Sequence, residues 1–556
     1  MMQWQQHLLS TLEKNGIVPE DVIFGIPPNI SKGHVAIPAF IIAKKMGKNP
    51  TQVASEMAGY FVADDVVEKA VAEGPYCNVT LTNTALQEIL MLIEEEGGNF
   101  SKKAGSKKTL MLEYSQPNTH KAFHIGHARN VTVGTALANL WESQGNKVKK
   151  VTYVNDVGSH VAKCLWAFMM LHDGNAPAEN RGTWLGRIYA EGEVKLQSEE
   201  NAQEEMREIL VNLESEKPDL VTIWKETREW SLESFRKIYA TLGVTFDTWY
   251  FESDVRANGQ KVVDELVEKG IAQKSDGAII MDLQQENLDV LVIRKSDGVG
   301  LYATSDLGLA LEKLKTNWDE SIVLTDVRQA LYFKQLHRTL ELYGVDKNRK
   351  FSHIGYEFVT LKSGSMSSRK GNVILFEDFW AEVLDEAVVQ TKKRHEDWDE
   401  KEITDVAKKI TKAAIVFSML KTAPSQVITF DKDDALSFEG FTGPYVLYTY
   451  ARIMRLLEKL PSKQVSGELT HHLEHGLLLQ LNQATDALSK AAHDQNPATA
   501  CKYVYDLCQA FSSYYGQVQI IEGDSIPENR VRLLRGIART IKNVLTILNI
   551  QVVEKM

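Results

Sequence analysis

The 556-residue sequence predicts a multidomain α/β plus all-α protein: a parallel-sheet core, a small α/β unit before it and a helical bundle after it. Three observations lead there. An apolar run at 109–113 gives way to a polar, proline-containing loop, then to an apolar-periodic stretch through Val131, Leu137 and Leu140 that ends at Gly145. Strand, loop and helix in that order aim free helix N–H groups at a phosphate. Strand-like and helix-like stretches then alternate to about residue 361, the pattern of a parallel sheet with crossover helices. After about Glu377 strands cease and helical periodicity takes over. This length suits roughly three to four domains.

Composition narrows the class without naming a function. The apolar share of 44% and charged share of 25% fit a globular protein. No run approaches the roughly 18 apolar residues of a membrane span, and the N-terminal residues have neither a signal-peptide nor a transit-peptide pattern. Cys77 and Cys164 are isolated, and Cys501 and Cys508 lie two helical turns apart, so neither a zinc site nor a disulfide framework is expected. A reducing cytoplasm and no membrane partner follow as expectations. The net charge of −11 argues against nucleic acid only if charge is uniform, and the acid lies mostly in the first two-thirds. Basic clusters at Lys102, Lys103, Lys107 and Lys108, at Lys147, Lys149 and Lys150, and at residues 530–539 read as solvated surface or as RNA contacts.

The elements are expected as follows. Residues 1–104 form the small unit, with helices at 4–14, 38–46 and 50–61 and strands at 22–24 and 78–82. The Lys- and Ser-rich stretch 97–106 is a linker. The core, 105–376, continues with a strand at 148–154 and the loop 155–160. Residues 165–290, charged and largely helical, read as an insertion, with a hairpin turn at 274–277. Strands at 290–293, 321–324 and 353–361, with helices at 307–314 and up to 343, complete the core. Residues 377–556 carry helices at 403–420, 443–460, 477–492, 498–515 and 526–548.

Chemistry concentrates where the first core helix begins. His124 and His127, three apart, share one helix face, and Gly126 leaves room for a flat base or ribose against the backbone. The quartet His124-Ile125-Gly126-His127 resembles the HIGH signature of class I aminoacyl-tRNA synthetases. Far downstream, Met366-Ser367-Ser368-Arg369-Lys370-Gly371-Asn372 resembles the second signature of that class. The context from Glu113 through Asn118 to Arg129-Asn130, and the segment Ser437-Phe438-Glu439-Gly440 through Ala451-Arg452, resemble the arginyl-tRNA synthetase family in particular. That resemblance implies a Rossmann-like catalytic core, an N-terminal domain touching the tRNA elbow, and a helical anticodon-binding domain. It implies an arginine–tRNA ligase that uses ATP to make arginyl-adenylate, releases pyrophosphate, and passes L-arginine to the terminal adenosine of tRNA(Arg). Mg2+ would accompany ATP without a dedicated protein metal site, and a cytoplasmic monomer is expected.

The resemblance also distributes roles. His124 and His127 would donate N–H groups to phosphate oxygens, with Gly126, Met366, Ser367 and Lys370 completing the ATP site and Arg369 and Lys370 supplying cations. Ser365 and Ser368 stand where the family's KMSKS pattern has lysines. Lys121, just before the first signature, matches the place where some arginyl enzymes put a compensating lysine; a solvated lysine is the alternative. Glu113 and Asn118 would meet the α-amino and carboxylate end of arginine. Tyr302, Asp306 and Gln329 would line its side-chain pocket, because a carboxylate is the natural acceptor for a forked guanidinium. Asp306 equally suits an N-cap of the following helix. Tyr445, Tyr448 and Arg452, with Tyr450, would contact tRNA, or the tyrosines would simply pack between helices.

Three other functions fit parts of the chain. A different class I synthetase would keep both signatures but lose the Tyr302/Asp306 pattern. A small nucleotidyltransferase would not need the long helical segment. A non-catalytic synthetase-like RNA-binding protein would tolerate the Ser365 and Ser368 departures.

Overall fold

Five strands pair in parallel in the order Lys350–Tyr356, Glu320–Asp326, Thr109–Glu113, Lys147–Val154, Thr248–Phe251. Numbered along the chain, this is the doubly wound order 5-4-1-2-3. The strand order therefore reverses beside Thr109–Glu113, and ligands bind at such a switch point, beyond the carboxyl ends of the strands. The strands are apolar because helices cover both faces: Leu110, Met111, Leu112, Ile322, Val323 and Leu324 are all buried.

The structure is a computed structural model that describes residues 3–27, 29–95, 107–198, 201–296, 301–362, 374–521 and 523–556. The sheet belongs to a compact unit of residues 103–436, joined by 495–498. Helices Phe376–Arg394 and Glu400–Leu420 belong to the same unit. Two expectations change here. Thr248–Phe251, inside the stretch read as an insertion, is an edge strand of the main sheet. Val290–Arg294, read as the strand resuming the core, instead pairs antiparallel with Ala278–Asp282 in a separate three-stranded sheet. Its alternating burial suits a sheet covered on one face only. The hairpin turn falls at Asp276 and Gly277, both with positive φ, as a two-residue connection requires.

The second unit joins residues 1–102 to 437–494 and 499–556. Its antiparallel sheet runs Val35–Pro38, Tyr76–Leu81, Val67–Glu73. Val35–Pro38 and Val67–Glu73 were not anticipated, and residues 22–24 are not a strand. The stretch read as one helix at 477–492 is two, His472–Asn482 and Ala484–His493. Part of the basic cluster at 530–539 is internal rather than surface: Arg530 is buried, and its Nε donates to buried Glu474 Oε1 at 2.6 Å. The Tyr514 hydroxyl donates to the same oxygen at 3.0 Å.

Candidate active site

Helix Ile125–Ser143 begins at His124, and the two histidines close that end themselves. His124 Nδ1 accepts from the Gly126 N–H at 3.1 Å, and His127 Nδ1 accepts from the His124 N–H at 3.2 Å. This is a capping box built from imidazoles in place of hydroxyl and carboxylate. Because both Nδ1 atoms accept, the proton of each neutral ring sits on Nε2. The rings stack with centroids 3.8 Å apart. Burial, then Lys121, pushes the His124 imidazole down to about 4. Burial and His124 hold His127 well below its usual value. The helix start therefore presents two neutral Nε2–H donors, and no described residue partners either. A Cβ on Gly126 would lie 2.9 Å from His124 Cε1, so this glycine makes room first of all for the imidazole.

The loop between strand and helix is pinned at several points. Ser115 and His120 adopt positive φ. Ser115 N donates to Asn130 Oδ1 at 2.6 Å, while Asn130 Nδ2 donates to the Leu324 carbonyl at 2.8 Å, tying the loop to both strands of the switch point. Helix Pro218–Leu242 holds the loop's outer side through Ser231, which accepts from His120 N at 2.9 Å, and Tyr239, whose hydroxyl meets Ser115 Oγ at 2.7 Å. Buried Asp156, in the loop 155–160, accepts from Arg228 Nε at 2.7 Å and from Ser253 N at 2.9 Å. That loop's acid is thus fixed inside the fold.

A cavity of about 1110 Å³ opens over the switch point. It gathers Glu113, Asn118, His124, Gly126, His127, Tyr302, Asp306 and Gln329, all singled out from sequence. Asp306 does not cap a helix. Its helix runs Tyr302–Leu314, starting five residues earlier than expected, and Leu301 holds the cap position. Asp306 instead faces the cavity one turn after Tyr302, where it accepts a short hydrogen bond from the Tyr332 hydroxyl. Burial pushes its carboxyl up to about 7 against that hydrogen bond, and Glu113 and Glu252 push the same way.

What holds this helix in place is a backbone-to-backbone approach. A Cβ on Gly308 would lie 2.2 Å from the Val255 carbonyl oxygen, and one on Gly259 would lie 1.9 Å from that of Thr304. Only glycine lets helices Glu252–Glu268 and Tyr302–Leu314 come this close.

Other sequence candidates sit elsewhere. Lys121 Nζ lies 4.9 Å from the centre of the Tyr189 ring and is not among the cavity-lining residues. Met366, Ser367, Arg369 and Lys370, with Ser365 and Ser368, fall outside the described residues. In the second unit, Tyr445 and Tyr448 are half-buried on helix Gly443–Glu458, and Arg452 donates to the Tyr448 hydroxyl at 2.8 Å. Arg452 also stands 5.3 Å from the centre of the exposed Tyr515 ring. Tyr450 is buried and belongs to the core rather than to a stacking surface.

Several residues of the site were not foreseen. Lys313, two turns beyond Asp306, is buried and ion-paired with Glu113. Its i+7 spacing from Asp306 was a readable signal. Glu252, pushed up to about 7 by burial, accepts from Ser305 Oγ at 3.0 Å and has a buried Oε2 without a described partner. Buried Arg129 donates to the carbonyls of Phe358, Ala423, Pro424 and Gln426, and so fixes one wall of the cavity.

A doubly wound sheet with a paired-histidine helix start at its switch point fits the catalytic unit of a class I tRNA synthetase, and the family match assigns this chain to that class. Residues 87–431 match the family described as "tRNA synthetases class I (R), catalytic domain". Residues 2–81 match the "Arginyl tRNA synthetase N terminal domain" and residues 446–556 the "DALR anticodon binding domain". The chain is 35% identical over 545 residues to the arginine–tRNA ligase of Bdellovibrio bacteriovorus, covering 95% of this chain and 93% of that one. It is 33% identical over 541 residues to the arginine–tRNA ligase of Clostridium perfringens, covering 96% and 95%. The solved structure of Thermus thermophilus arginyl-tRNA synthetase superposes with a TM-score of 0.80 at 25% identity over 99% of both chains. The chain belongs to the arginyl-tRNA synthetases.

Proposed function

We propose that this chain joins L-arginine to tRNA(Arg) in two steps at the cavity over the switch point. In the first, an arginine carboxylate oxygen attacks the α-phosphorus of ATP. A new P–O bond forms, the bond to the bridging oxygen breaks, and pyrophosphate leaves. In the second, the terminal adenosine hydroxyl of the tRNA takes the arginyl group and AMP departs. Little covalent work falls to the protein, so position and charge carry the catalysis.

The observation that carries this reading is the pair of neutral Nε2–H donors at a helix start, in one cavity with Glu113 and Asp306. His124 and His127 face the phosphates, where donors and the helix N-terminus stabilise developing negative charge. Gly126, Met366, Ser367 and Lys370 complete the ATP site, and Lys121, Arg369 and Lys370 are the cations assigned to the leaving pyrophosphate. Asp306, with Tyr302, Gln329 and the unforeseen Glu252, takes the guanidinium; Glu113 and Asn118 take the α-amino and carboxylate end. Mg2+ enters on the phosphates of ATP. All four cysteines are buried and none is in a disulfide, which suits a reducing cytoplasm. Tyr448 and Arg452 lie at the start of the stretch matching an anticodon-binding family, with Tyr445 just before it, and all three are assigned to tRNA.

Arginine-dependent formation of AMP and pyrophosphate from ATP, with tRNA present, tests the reading. Turnover with arginine and none with citrulline, which has a neutral ureido group, is the expected result. Equal turnover with both would overturn the pocket assignment.

A further inference from the structure

The proposed arginine pocket is rich in acid. Glu113 and Asp306 line the cavity, and the carboxylate of Glu252 lies close enough to act on Asp306, Tyr302 and Tyr153. Among these acids stands a buried cation. Lys313 projects from the same helix as Asp306, is 3% exposed, and makes a short ion pair with Glu113 Oε2. The other oxygen of Glu113 accepts from Gln116 Nε2 at 3.1 Å. Glu113 is thus held from two sides, with its carboxylate fixed at the end of the central strand.

Packing alone does not call for this lysine. Burying an ammonium is costly, and an apolar side chain in place of a buried ion pair is often no less stable. The substrate supplies a reason. Arginine brings a guanidinium and an α-ammonium, so the carboxylates that receive them must be ionised and correctly placed beforehand. Carboxylates crowded in a low-dielectric site hinder each other's ionisation. A buried ammonium beside them relieves that hindrance, and it tethers Glu113 at the same time.

We propose that Lys313 is a positioning residue for arginine recognition: its buried ammonium orients Glu113 and offsets the excess negative charge of the pocket, so that Glu113 and Asp306 stand ready for the substrate's two cationic groups. This rests on the assignment of Asp306 to the guanidinium. The charges around Asp306 agree. Burial, Glu113 and Glu252 push its carboxyl up, and the Tyr332 hydrogen bond and Lys313 pull it down. Tyr302 and Tyr153 are further titratable groups facing it. On the other side of Lys313, burial and Lys313 itself push His337 down to about 4, so that imidazole adds no competing charge near neutral pH.

The test is the pH dependence of kcat/KM for arginine in the full chain, with ATP and tRNA saturating. Lys313→Gln keeps a hydrogen-bond donor for Glu113 and removes the charge. Its acid limb should move up by at least about 0.5 pH unit, with KM for arginine raised at least about tenfold near pH 7.5 and KM for ATP little changed. Lys313→Arg should restore the wild-type limb. An unmoved limb in folded Lys313→Gln, or a moved one in folded Lys313→Arg, overturns the proposal. Should Lys313→Gln not fold, Glu113→Gln with Lys313→Gln leaves no buried charge at the pair. Its acid limb must then lie above that of Glu113→Gln alone, and coincidence of the two also overturns the proposal. Asp306→Asn separates this inference from its premise: wild-type arginine kinetics there would remove the pocket assignment, whereas a loss there with no shift in Lys313→Gln removes the role of Lys313 only.

Discussion

His124 and His127 each accept a backbone N–H from the same helix start through Nδ1, with their rings stacked 3.8 Å apart. Capping and the proposed donation to phosphate therefore use opposite nitrogens of one ring. The two roles are separable because a glutamine at the third helical position can replace the capping acceptor without supplying the Nε2–H.

His127→Gln should keep the thermal midpoint within a degree or two of wild type, while His127→Ala should lose about 0.5–2 kcal/mol of stability with the cap. Both should slow adenylate formation by roughly 100-fold or more, because the lost donor acts on charge that develops in the transition state. Rapid single-turnover measurement of AMP and pyrophosphate formation checks this. A folded His127→Gln with wild-type rate would reduce the pair to a structural cap.

Asp306→Asn should raise KM for arginine and shrink its advantage over citrulline. Breaking such a pair typically costs about 3–5 kcal/mol. The stability effect has the opposite sign. The folded carboxyl titrates near 7 against an ordinary 3.8, so between those values the native state holds a proton that the unfolded state has lost. Stability falls as pH rises from about 4 to about 7, and the deficit persists above. Without ligands, Asp306→Asn should therefore melt higher than wild type at pH 8, with the gain smaller at pH 5. Melting curves at the two pH values check it.

Arg129→Lys should be strongly destabilising despite its conserved charge. One ammonium cannot reach the carbonyls of Phe358, Ala423, Pro424 and Gln426 that the guanidinium spans. Leaving buried acceptors unpaired costs about 1–3 kcal/mol each. The first unfolding transition should move down, and ATP affinity should weaken because Phe358 and Val359 line the cavity.

Gly308→Ala should act on arginine more than on ATP. The added methyl would meet the Val255 carbonyl and the Gly259 backbone, which have no side-chain freedom to yield. The helix carrying Tyr302 and Asp306 must shift, at about 1–3 kcal/mol for an overpacked contact. KM for arginine should rise several-fold, checked by initial rates at saturating ATP.

Much of this site was legible because it depends on local pattern. The strand Thr109–Glu113, its loop and the helix after it follow from apolar periodicity, and the two signatures stand in sequence whatever surrounds them. The misread parts depend on partners far along the chain. Thr248–Phe251 is only four residues within a charged, helical stretch, so nothing local marks it as a sheet edge, and Glu252 at its end was hidden with it. For Asp306 the cap stayed open beside the pocket reading, because the helix start at Tyr302 has no capping side chain to announce it. Arg129 and Lys313 look like surface residues until the carbonyls and the carboxylate they meet are brought together by the fold.

The most direct measurement is aminoacylation itself: the full chain, ATP, Mg2+ and unfractionated bacterial tRNA, with each of the twenty labelled amino acids tried separately. Arginine alone should be attached to tRNA, with stoichiometric AMP. Attachment of a different amino acid, or of none by a folded chain, would contradict the assignment of this cavity to arginine.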